Sequence, residues 1–564
     1  MARVGAWTLR AAVAAVAAGG LLAGAGPAIA AGTSQAGATD YVVATSGGTP
    51  SARTLDAALA GTADVTRVRS LGHDLAVVTV RGSLAGARAR AVGRALTATP
   101  AIASAAVDSR MTLQGAKPPG TTLDPLFPGQ WDLWDSASTK RAGGYGVDAP
   151  RAWLRTTGSS DVVVAVLDTG YTRHPDLPWA RFAPGYDFVT GGDGVLTGDG
   201  DGWDADARDP GDVCPDESDS GSSWHGTFVT GEIAAKRDSR GVAGEAPGIT
   251  IEPIRVLGGC GGTESDTIAA IRWAIGAAVP GVPDADRNTR PADVISMSIG
   301  SPLAPGETCS AALQAAIDEA WAAGTTVVAA AGNDDAPVST DSPASCAHVI
   351  SVAATSRYGN RAYYSNYGTA ALSPTIAAPG GTDAYPVWGD LWTSTGAFSQ
   401  SGNTAAIGGY IGTSMAAPRV AAAVALLLSV HPTMTPDEVA ARLTERSTRF
   451  PSTSTCTTVR CGAGIVNAGD LLGVHKRFVH VVSATITGTA KPGSRLTAHA
   501  GTWRPGAEAT GYRWYRDGKP LSATSATYRL TRRDAGARIT VRVTVSRSGY
   551  SSASAFSAGR RISS

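Results

Sequence analysis

The stretch Asp161–Asp168, DVVVAVLD, is a run of apolar residues between two aspartates. An uninterrupted apolar run is typical of a strand buried on both faces, as in a parallel sheet. Four later stretches repeat this pattern: ITIEPIRVL (249–257), ADVISMSIG (292–300), TTVVAAAGN (325–333) and VISVAAT (349–355). Helical patterns separate the strands, in ESDTIAAIRWAIGAAV (264–279) and CSAALQAAIDEAWAAG (309–324). The alternation predicts an α/β domain with a doubly wound parallel sheet.

Different patterns flank this domain. Residues 41–108 alternate short strand and helix patterns, which predicts a small α+β unit, and GAKPPG (115–120) has the composition of a linker. From about residue 478, short alternating segments such as ARITVRVTVSRSGY (537–550) predict an all-β sandwich. Trp514 lies on one of these predicted strands, and we expect it to be a core residue.

The charge is distributed unevenly along the 564 residues. The net charge is +1, but residues 118–475 carry −18, residues 31–117 carry +4 and residues 476–564 carry +13. A chain of this length is too long for one core. The charge blocks mark boundaries between units, and the basic C-terminal region suits contact with an anionic surface such as a cell wall. A passive solvated domain is the alternative.

The N-terminus has the pattern of an export signal. Arg3 and Arg10 precede the apolar residues 11–25, and Ala28-Ile29-Ala30 has the form of a cleavage site. The apolar run is short for a membrane span, and no other stretch looks long enough for one. An uncleaved anchor is the alternative. The signal predicts a secreted, extracellular protein.

The cysteines suggest an oxidising compartment. An even number in an exported chain indicates disulfides, and six cysteines allow 15 pairings. We expect neighbours in sequence to pair, because the loop between the last two is short and each of the other pairs would hold a surface loop. A metal site is the alternative, but the chain has no C-x-x-C motif and no histidine cluster. The cysteines are Cys214, Cys260, Cys309, Cys346, Cys456 and Cys461.

Four polar residues stand where a parallel sheet forms its binding site, at strand ends and helix starts. Asp168 ends one strand and Asn333 ends another, while His225 and Ser414 each begin a helical run. Taken singly, each has a structural explanation, as a turn cap, a helix-end histidine, a left-handed turn residue or an N-cap. Together they supply the acid, the base, the oxyanion donor and the hydroxyl that acyl transfer requires.

The motifs around these residues resemble those of the subtilisin-like serine proteases over about residues 160–470. They are AVLDTG, HGTFVTGEIAA, GVAGEAP, SMSIGS, AAAGN, AAPGG and GTSMAAPRVAA. The order Asp, His, Ser along the chain is the subtilisin order. The resemblance implies a serine endopeptidase in which Ser414 is the nucleophile, His225 the general base, Asp168 its partner and Asn333 the oxyanion donor. It implies no cofactor for the chemistry.

The resemblance also implies a domain order and a substrate cleft. The order is a signal peptide (1–30), an inhibitory propeptide (31–117), a catalytic domain (118–475) and an immunoglobulin-like domain (478–564). Residues 31–117 would be the enzyme's own intramolecular inhibitor, the alternative being an ordinary N-terminal domain. A substrate strand would lie between two edges, Ser298, Ile299 and Gly300 on one side and Ala330, Ala331 and Gly332 on the other. Asp334, beside the second edge, suggests a preference for basic side chains.

An acidic loop follows the first strand. Residues 193–219 contain ten acidic residues and one basic residue. Alternating carboxylates and glycines suit calcium, so Asp199, Asp201 and Asp204 are candidate ligands of a structural ion, although the spacing does not complete an EF-hand loop. A solvated acidic loop is the alternative.

Two rival functions compete with the protease. An α/β-hydrolase esterase runs Ser, acid, His with a G-x-S-x-G motif, and this chain has neither. A secreted binding protein on an inactive protease scaffold is the second rival, and the presence of all four site residues argues against it. We expect protein or peptide substrates, no nucleic acid partner, and a monomer.

Overall fold

In the computed structural model the described residues are 38–564, apart from short internal gaps, of which the longest are 114–126, 136–143, 216–220 and 393–403. The predicted signal peptide and the GAKPPG linker lie outside the described residues. The chain divides into two compact units, residues 1–472 and 473–564.

The first unit begins with a four-stranded antiparallel sheet in the order β2-β3-β1-β4. Alternate residues of a strand point to opposite faces, so this sheet serves two cores. Tyr41 and Val43 pack with α1 and α2, whereas Val42 joins the core of the following α/β region. The elements are β1 (Ala38–Thr45), α1 (Ala52–Ala58), β2 (Val65–Gly72), β3 (Leu75–Arg81), α2 (Gly86–Thr97), β4 (Ile102–Val107) and β5 (Arg110–Leu113).

The α/β region contains the remaining elements of this unit. Its strands are β6 (Val163–Asp168), β7 (Tyr186–Asp187), β8 (Thr250–Arg255), β9 (Gly262–Thr263), β10 (Val294–Met297), β11 (Ile299–Pro302), β12 (Thr326–Ala330), β13 (Asp341–Ser342), β14 (Val349–Thr355), β15 (Ile376–Pro379), β16 (Val387–Trp392) and β17 (Ala405–Tyr410). Its helices are α3 (Ala149–Ala152), α4 (His225–Ala234), α5 (Glu264–Ala274), α6 (Ala311–Ala322), α7 (Thr413–Val430), α8 (Pro436–Glu445), α9 (Thr458–Cys461) and α10 (Ala468–Leu471).

A seven-stranded parallel sheet forms the centre, in the order β15-β14-β12-β10-β6-β8-β7. Helix α7 packs on β10, β12, β14 and β15, while α5 and α6 pack against β6 and β12. The predicted doubly wound parallel sheet is therefore confirmed. The chain proceeds from β6 to β8 on one side and later to β10 on the other, so the topological switch point lies between β6 and β10.

The predicted strand 292–300 is two strands. β10 belongs to the central sheet, whereas β11 belongs to a separate antiparallel sheet in the order β13-β11-β5-β9. The break falls at Ser298, the residue that follows β10 at the switch point. The chain therefore leaves the central sheet here and presents a new edge.

Helix α7 is the core helix of this region. By length and composition it is able to cross a membrane, so the expectation that no such stretch exists was wrong, but 89% of it is buried inside the fold. Pro418 lies within the helix and has no N–H for the carbonyl of Ser414, four residues earlier. The Ser298 hydroxyl donates to that carbonyl instead, at 2.8 Å. The helix start is thereby tied to the end of β10.

Three disulfides confirm the pairing of sequence neighbours. Their Cα–Cα distances of 4.6, 5.2 and 5.4 Å are in the usual range for disulfides. Each closes a loop and is expected to stabilise the fold by about 2–4 kcal/mol. The pairs are Cys214–Cys260, Cys309–Cys346 and Cys456–Cys461.

The second unit consists of β-sheets around its own core, as predicted, and their strand pairs are antiparallel except for the parallel pair β18–β27. Trp514 is fully buried there beside Leu496 and Ile539, which confirms it as a core residue. The strands are β18 (Lys476–Arg477), β19 (Val479–Val482), β20 (Thr485–Gly488), β21 (Arg495–His499), β22 (Thr502–Arg504), β23 (Ala509–Arg516), β24 (Lys519–Pro520), β25 (Thr527–Arg529), β26 (Arg538–Ser546), β27 (Tyr550–Ser551), β28 (Ala553–Phe556) and β29 (Arg560–Arg561).

Candidate active site

Asp168 and His225 meet at the carboxyl end of β6. The His225 Nδ1 atom lies 2.8 and 2.9 Å from the two carboxylate oxygens of Asp168, and both side chains are buried. A carboxylate at this distance accepts the Nδ1 proton and leaves Nε2 as the basic nitrogen. The Nε2 atom is buried and has no hydrogen-bond partner among the described residues.

Close backbone contact brings these two residues together. A Cβ atom on Gly226 would lie 2.1 Å from the carbonyl oxygen of Gly170, so only glycine permits α4 to begin this near the loop after β6. The Gly226 amide donates to the Thr169 hydroxyl at 3.0 Å, and the His225 amide donates to the Ser223 hydroxyl at 3.2 Å. The helix start is therefore anchored on both sides of His225.

Ser414 lies in the first turn of α7. Its Oγ atom donates to the carbonyl oxygen of Ser298 at 3.0 Å, and its side chain is fully buried. Because Met297 pairs with Leu167 in the β10–β6 register, Ser298 and Asp168 follow at neighbouring strand ends. The β10–β6 register and the contact with Ser298 therefore place Ser414 one strand away from Asp168, with its hydroxyl turned toward Ser298.

Asn333 is oriented by the residue before Ser414. Its Oδ1 atom accepts hydrogen bonds from the amide and the hydroxyl of Thr413, at 2.9 and 3.0 Å. Because an amide accepts only at its oxygen end, this clamp fixes the direction of the Nδ2 end. Thr413 was missed in the sequence, where it looks like an ordinary helix-start residue.

An extended segment of the chain lies along the predicted edge at Ser298, Ile299 and Gly300. In β5, Leu113 pairs with Ile299 and Thr112 with Gly300, in antiparallel register. This edge is therefore able to bind an extended strand through its main chain.

The second strand beside β5 differs from the sequence prediction. It is β9, in which Gly262 and Thr263 pair with Met111 and Arg110. Ala330, Ala331 and Gly332 do not pair with the described part of β5, and several of their backbone groups have other partners. Ala330 pairs with Val352, the Ala331 amide donates to the Val352 carbonyl, and the Gly332 amide donates to Thr413 Oγ1.

The candidate calcium ligands are not assembled around an ion site in the described residues. The Asp199 Oδ2 atom lies 2.5 Å from Nη1 of the fully buried Arg255, which also contacts Asp187. Asp204 pairs through its backbone with Asp187, and Asp201 lies outside the described residues. The described residues contain no group of three or more acidic, His or Cys side chains placed for a metal. The Arg255 guanidinium thus pairs with the carboxyl groups of Asp187 and Asp199. The calcium site remains a prediction that the described residues do not support.

Replacing Arg255 with methionine is expected to lower the free energy of unfolding by about 3–5 kcal/mol, because the buried carboxyl group of Asp187 loses its partner. Burial already raises the pKa of Asp187 to about 8 despite the opposing effect of Arg255. The measurement is urea unfolding followed by tryptophan fluorescence. The control is Arg208→Met, which breaks an exposed pair with Asp206 and should change stability by less than about 0.5 kcal/mol. Equal effects of the two substitutions would contradict the prediction.

Comparison with known proteins bears on the same region. The sequence model described as Subtilase family (Peptidase_S8) matches residues 159–467. A relative named Extracellular protease, from Xanthomonas campestris pv. campestris, is 40% identical over 409 residues, which are 71% of this chain and 64% of that protein. Subtilisin Savinase of Lederbergia lenta is 33% identical over 325 residues, 57% of this chain and 94% of that protein.

A solved structure extends the likeness to three dimensions. It belongs to a protease from Pseudoalteromonas arctica, which is 41% identical with a TM-score of 0.55. The match covers 63% of this chain and 99% of that one. The family match spans more than half of the chain and contains Asp168, His225, Asn333 and Ser414. This chain belongs to the subtilase family.

Proposed function

We propose that this protein is a secreted serine endopeptidase that cleaves peptide bonds through an acyl-enzyme and is made as a self-processing zymogen. One observation carries the proposal: Asp168 holds Nδ1 of His225 at 2.8 Å while Nε2 has no partner among the described residues, one strand from Ser414. The name of the Xanthomonas relative, Extracellular protease, supports both activity and secretion.

The reaction begins with a rotation of the Ser414 side chain. In the resting arrangement Oγ donates to Ser298, and turning about the Cα–Cβ bond directs it to Nε2 of His225. A hydroxyl is a weak nucleophile at neutral pH, so His225 removes its proton as Oγ attacks the substrate carbonyl. The imidazolium, stabilised by Asp168, then returns the proton to the leaving amine. Water, activated by the same histidine, hydrolyses the ester.

Two donors face the developing negative charge in this mechanism. One is the Nδ2 group of Asn333, whose direction is set by the Thr413 clamp on Oδ1. The other is the Ser414 amide, which as a first-turn helix amide has no carbonyl within its own helix. Donors fixed before reaction stabilise the oxyanion without reorganising, and in subtilisin the loss of the asparagine donor costs about 10²–10³ in turnover.

The N-terminal α+β region, from β1 to β5, fits the role of an inhibitor of this site. Its strand β5 lies between β9 and β11, along the edge that we assign to substrate. Met111 on this strand is fully buried in a cluster with Leu257 and Ile299. The Asp108 carboxylate accepts from the amide of Ser265 at 2.9 Å, in the first turn of α5. These contacts support the interpretation of residues 31–117 as a propeptide whose end occupies the cleft.

The active secreted protein is expected to begin between residues 115 and 125. The described pairing of β5 with the cleft ends at Leu113, so the bond that is cut in the zymogen lies shortly after it. N-terminal sequencing of the active form measures this, and Ser414→Ala provides the control, since that variant should retain the propeptide uncut. Active enzyme with residue 31 at its N-terminus would overturn the assignment.

A fluorophosphonate probe tests the proposed function directly, because it labels only an activated serine. Labelling of Ser414, together with casein cleavage, would support the endopeptidase. A well-folded protein that takes up no probe would instead be a binding protein on this scaffold.

The C-terminal unit we assign to contact with an anionic surface such as a cell wall, on the charge of +13 over residues 476–564.

A further inference from the structure

The carboxyl group of Asp341 is buried without a partner. The side chain is fully buried, and neither Oδ1 nor Oδ2 has a hydrogen bond to any described residue. The charged neighbour that acts on it is Asp334, a second carboxylate, which adds to the effect of burial in raising the pKa of Asp341 well above its usual value. A buried polar group without a partner is rare in folded proteins and requires an explanation.

Asp341 lies one strand away from β5, on the far side of the edge that we assign to substrate. Asp341 lies on β13 and pairs with Pro302 of β11, while the opposite edge of β11 carries β5. β11, the strand that pairs with β5, is thus the direct neighbour of the strand that carries the Asp341 carboxyl group. A second contact joins Asp341 to Gly332, the residue before Asn333.

Gly332 provides that second contact. It has a φ of +101°, and a Cβ atom there would lie 2.8 Å from Oδ2 of Asp341 and 2.1 Å from Nδ2 of Asn366. The oxygen of Asn366 accepts from the amides of Asp334 and Ala336, whereas its Nδ2 atom has no partner among the described residues. The Asp341 carboxyl group and the Asn366 Nδ2 group, neither bonded to a described residue, therefore both border the space that a side chain at Gly332 would occupy.

A cationic side chain of the substrate would satisfy this arrangement. In the proposed mechanism, the residue whose carbonyl Ser414 attacks, here called P1, would place its side chain between the β11 edge and Gly332. A Lys ammonium or an Arg guanidinium supplies several hydrogen-bond donors and a positive charge. Either would bond to the two oxygens of Asp341 and favour the ionised form of that carboxyl group. An apolar P1 side chain would leave the carboxyl group buried and unpaired.

We propose that Asp341 is the specificity-determining residue of the P1 site and that the enzyme cleaves after Lys or Arg. This inference rests on the proposed endopeptidase function. It replaces the simpler expectation that Asp334 selects basic side chains, since Asp334 is exposed whereas Asp341 is enclosed.

The experiment compares kcat/KM for peptides that differ only at P1, carrying Lys, Arg, Met or Phe. We expect the wild type to cleave the Lys and Arg peptides at least about tenfold faster than the Phe peptide. In Asp341→Asn, kcat/KM for Lys and Arg should fall about 100-fold, the scale for loss of one partner of a buried charge pair. The Met and Phe peptides should change less than about threefold. Benzamidine, a small amidinium, should inhibit the wild type competitively and the variant weakly.

Asp334→Asn is the matched control, because it removes the neighbouring exposed carboxylate. It should keep the Lys and Arg preference within about threefold. Asp341→Gly is a second variant, and fluorophosphonate labelling of Ser414 shows whether either Asp341 variant is correctly folded. A wild type that cleaves no peptide contradicts the proposed function. A wild type that cleaves peptides without preferring Lys or Arg, or an unchanged preference in labelled Asp341→Asn, overturns only the role of Asp341.

Discussion

Replacing Ser414 with alanine is expected to lower kcat for peptide hydrolysis by about 10⁶-fold, the magnitude established for loss of this serine in subtilisin. The physical reason is that the acyl-enzyme route disappears with the Oγ atom, while the oxyanion donors and the binding edge remain. Those remaining groups account for the residual rate above the uncatalysed reaction. The measurement is steady-state cleavage of a chromogenic peptide by the variant, after a separate protease has removed residues 31–117, the proposed propeptide.

Ser429→Ala, in the last turn of the same helix, is the control. Its hydroxyl donates to the Ala425 carbonyl and takes no part in the site, so kcat should change less than about twofold. If Ser414→Ala retained more than about 1% of wild-type kcat after exclusion of contaminating enzyme, Ser414 would not be the nucleophile.

Replacing Asp168 with asparagine is expected to lower kcat by about 10⁴-fold, the scale known for this change in a serine protease triad. An amide in place of the carboxylate can donate to Nδ1, which moves the imidazole proton to Nε2. His225 then presents a donor to Ser414 where an acceptor is required. The amide also removes the negative charge that stabilises the imidazolium, although the shape of the site is unchanged.

The control for this change is Asp161→Asn, at the exposed start of the same run of sequence, which should leave kcat within about twofold. The pH dependence of kcat provides the distinguishing measurement, because an effect through the general base should change the shape of the pH profile. A loss of less than about tenfold, with an unchanged pH profile, would show that Asp168 only supports the fold.

Features that depend on a local sequence pattern were predicted correctly. The run at 161–168 indicated a buried parallel strand, and β6 with its Asp168 terminus follows that run closely. The cysteine pairs were also predictable, because each joins neighbours along the chain. The break at Ser298 was not, since ADVISMSIG has one unbroken apolar pattern and only the departure of β11 to another sheet divides it.

Contacts between segments that are far apart along the chain could not be predicted from the sequence. Arg419 lies in an alanine-rich helix, and nothing local indicates that it is fully buried and pairs with Asp132 at 2.5 Å. Asp199 looked like a metal ligand because Arg255, its partner at 2.5 Å, is 56 residues away. Loop acidity alone does not distinguish a bound ion from a guanidinium, since both satisfy carboxylate oxygens.

The sequence by itself determined the class of fold and the identities of the chemical groups, because strand periodicity and residue type are local properties of the chain. Only the tertiary structure decided which groups meet: that His225 contacts Asp168, that Ser414 bonds to Ser298, and that the buried Asp341 lies on the strand next to β11. The physical reason is that these contacts depend on strand order and register, which bring together segments that have no pattern in common.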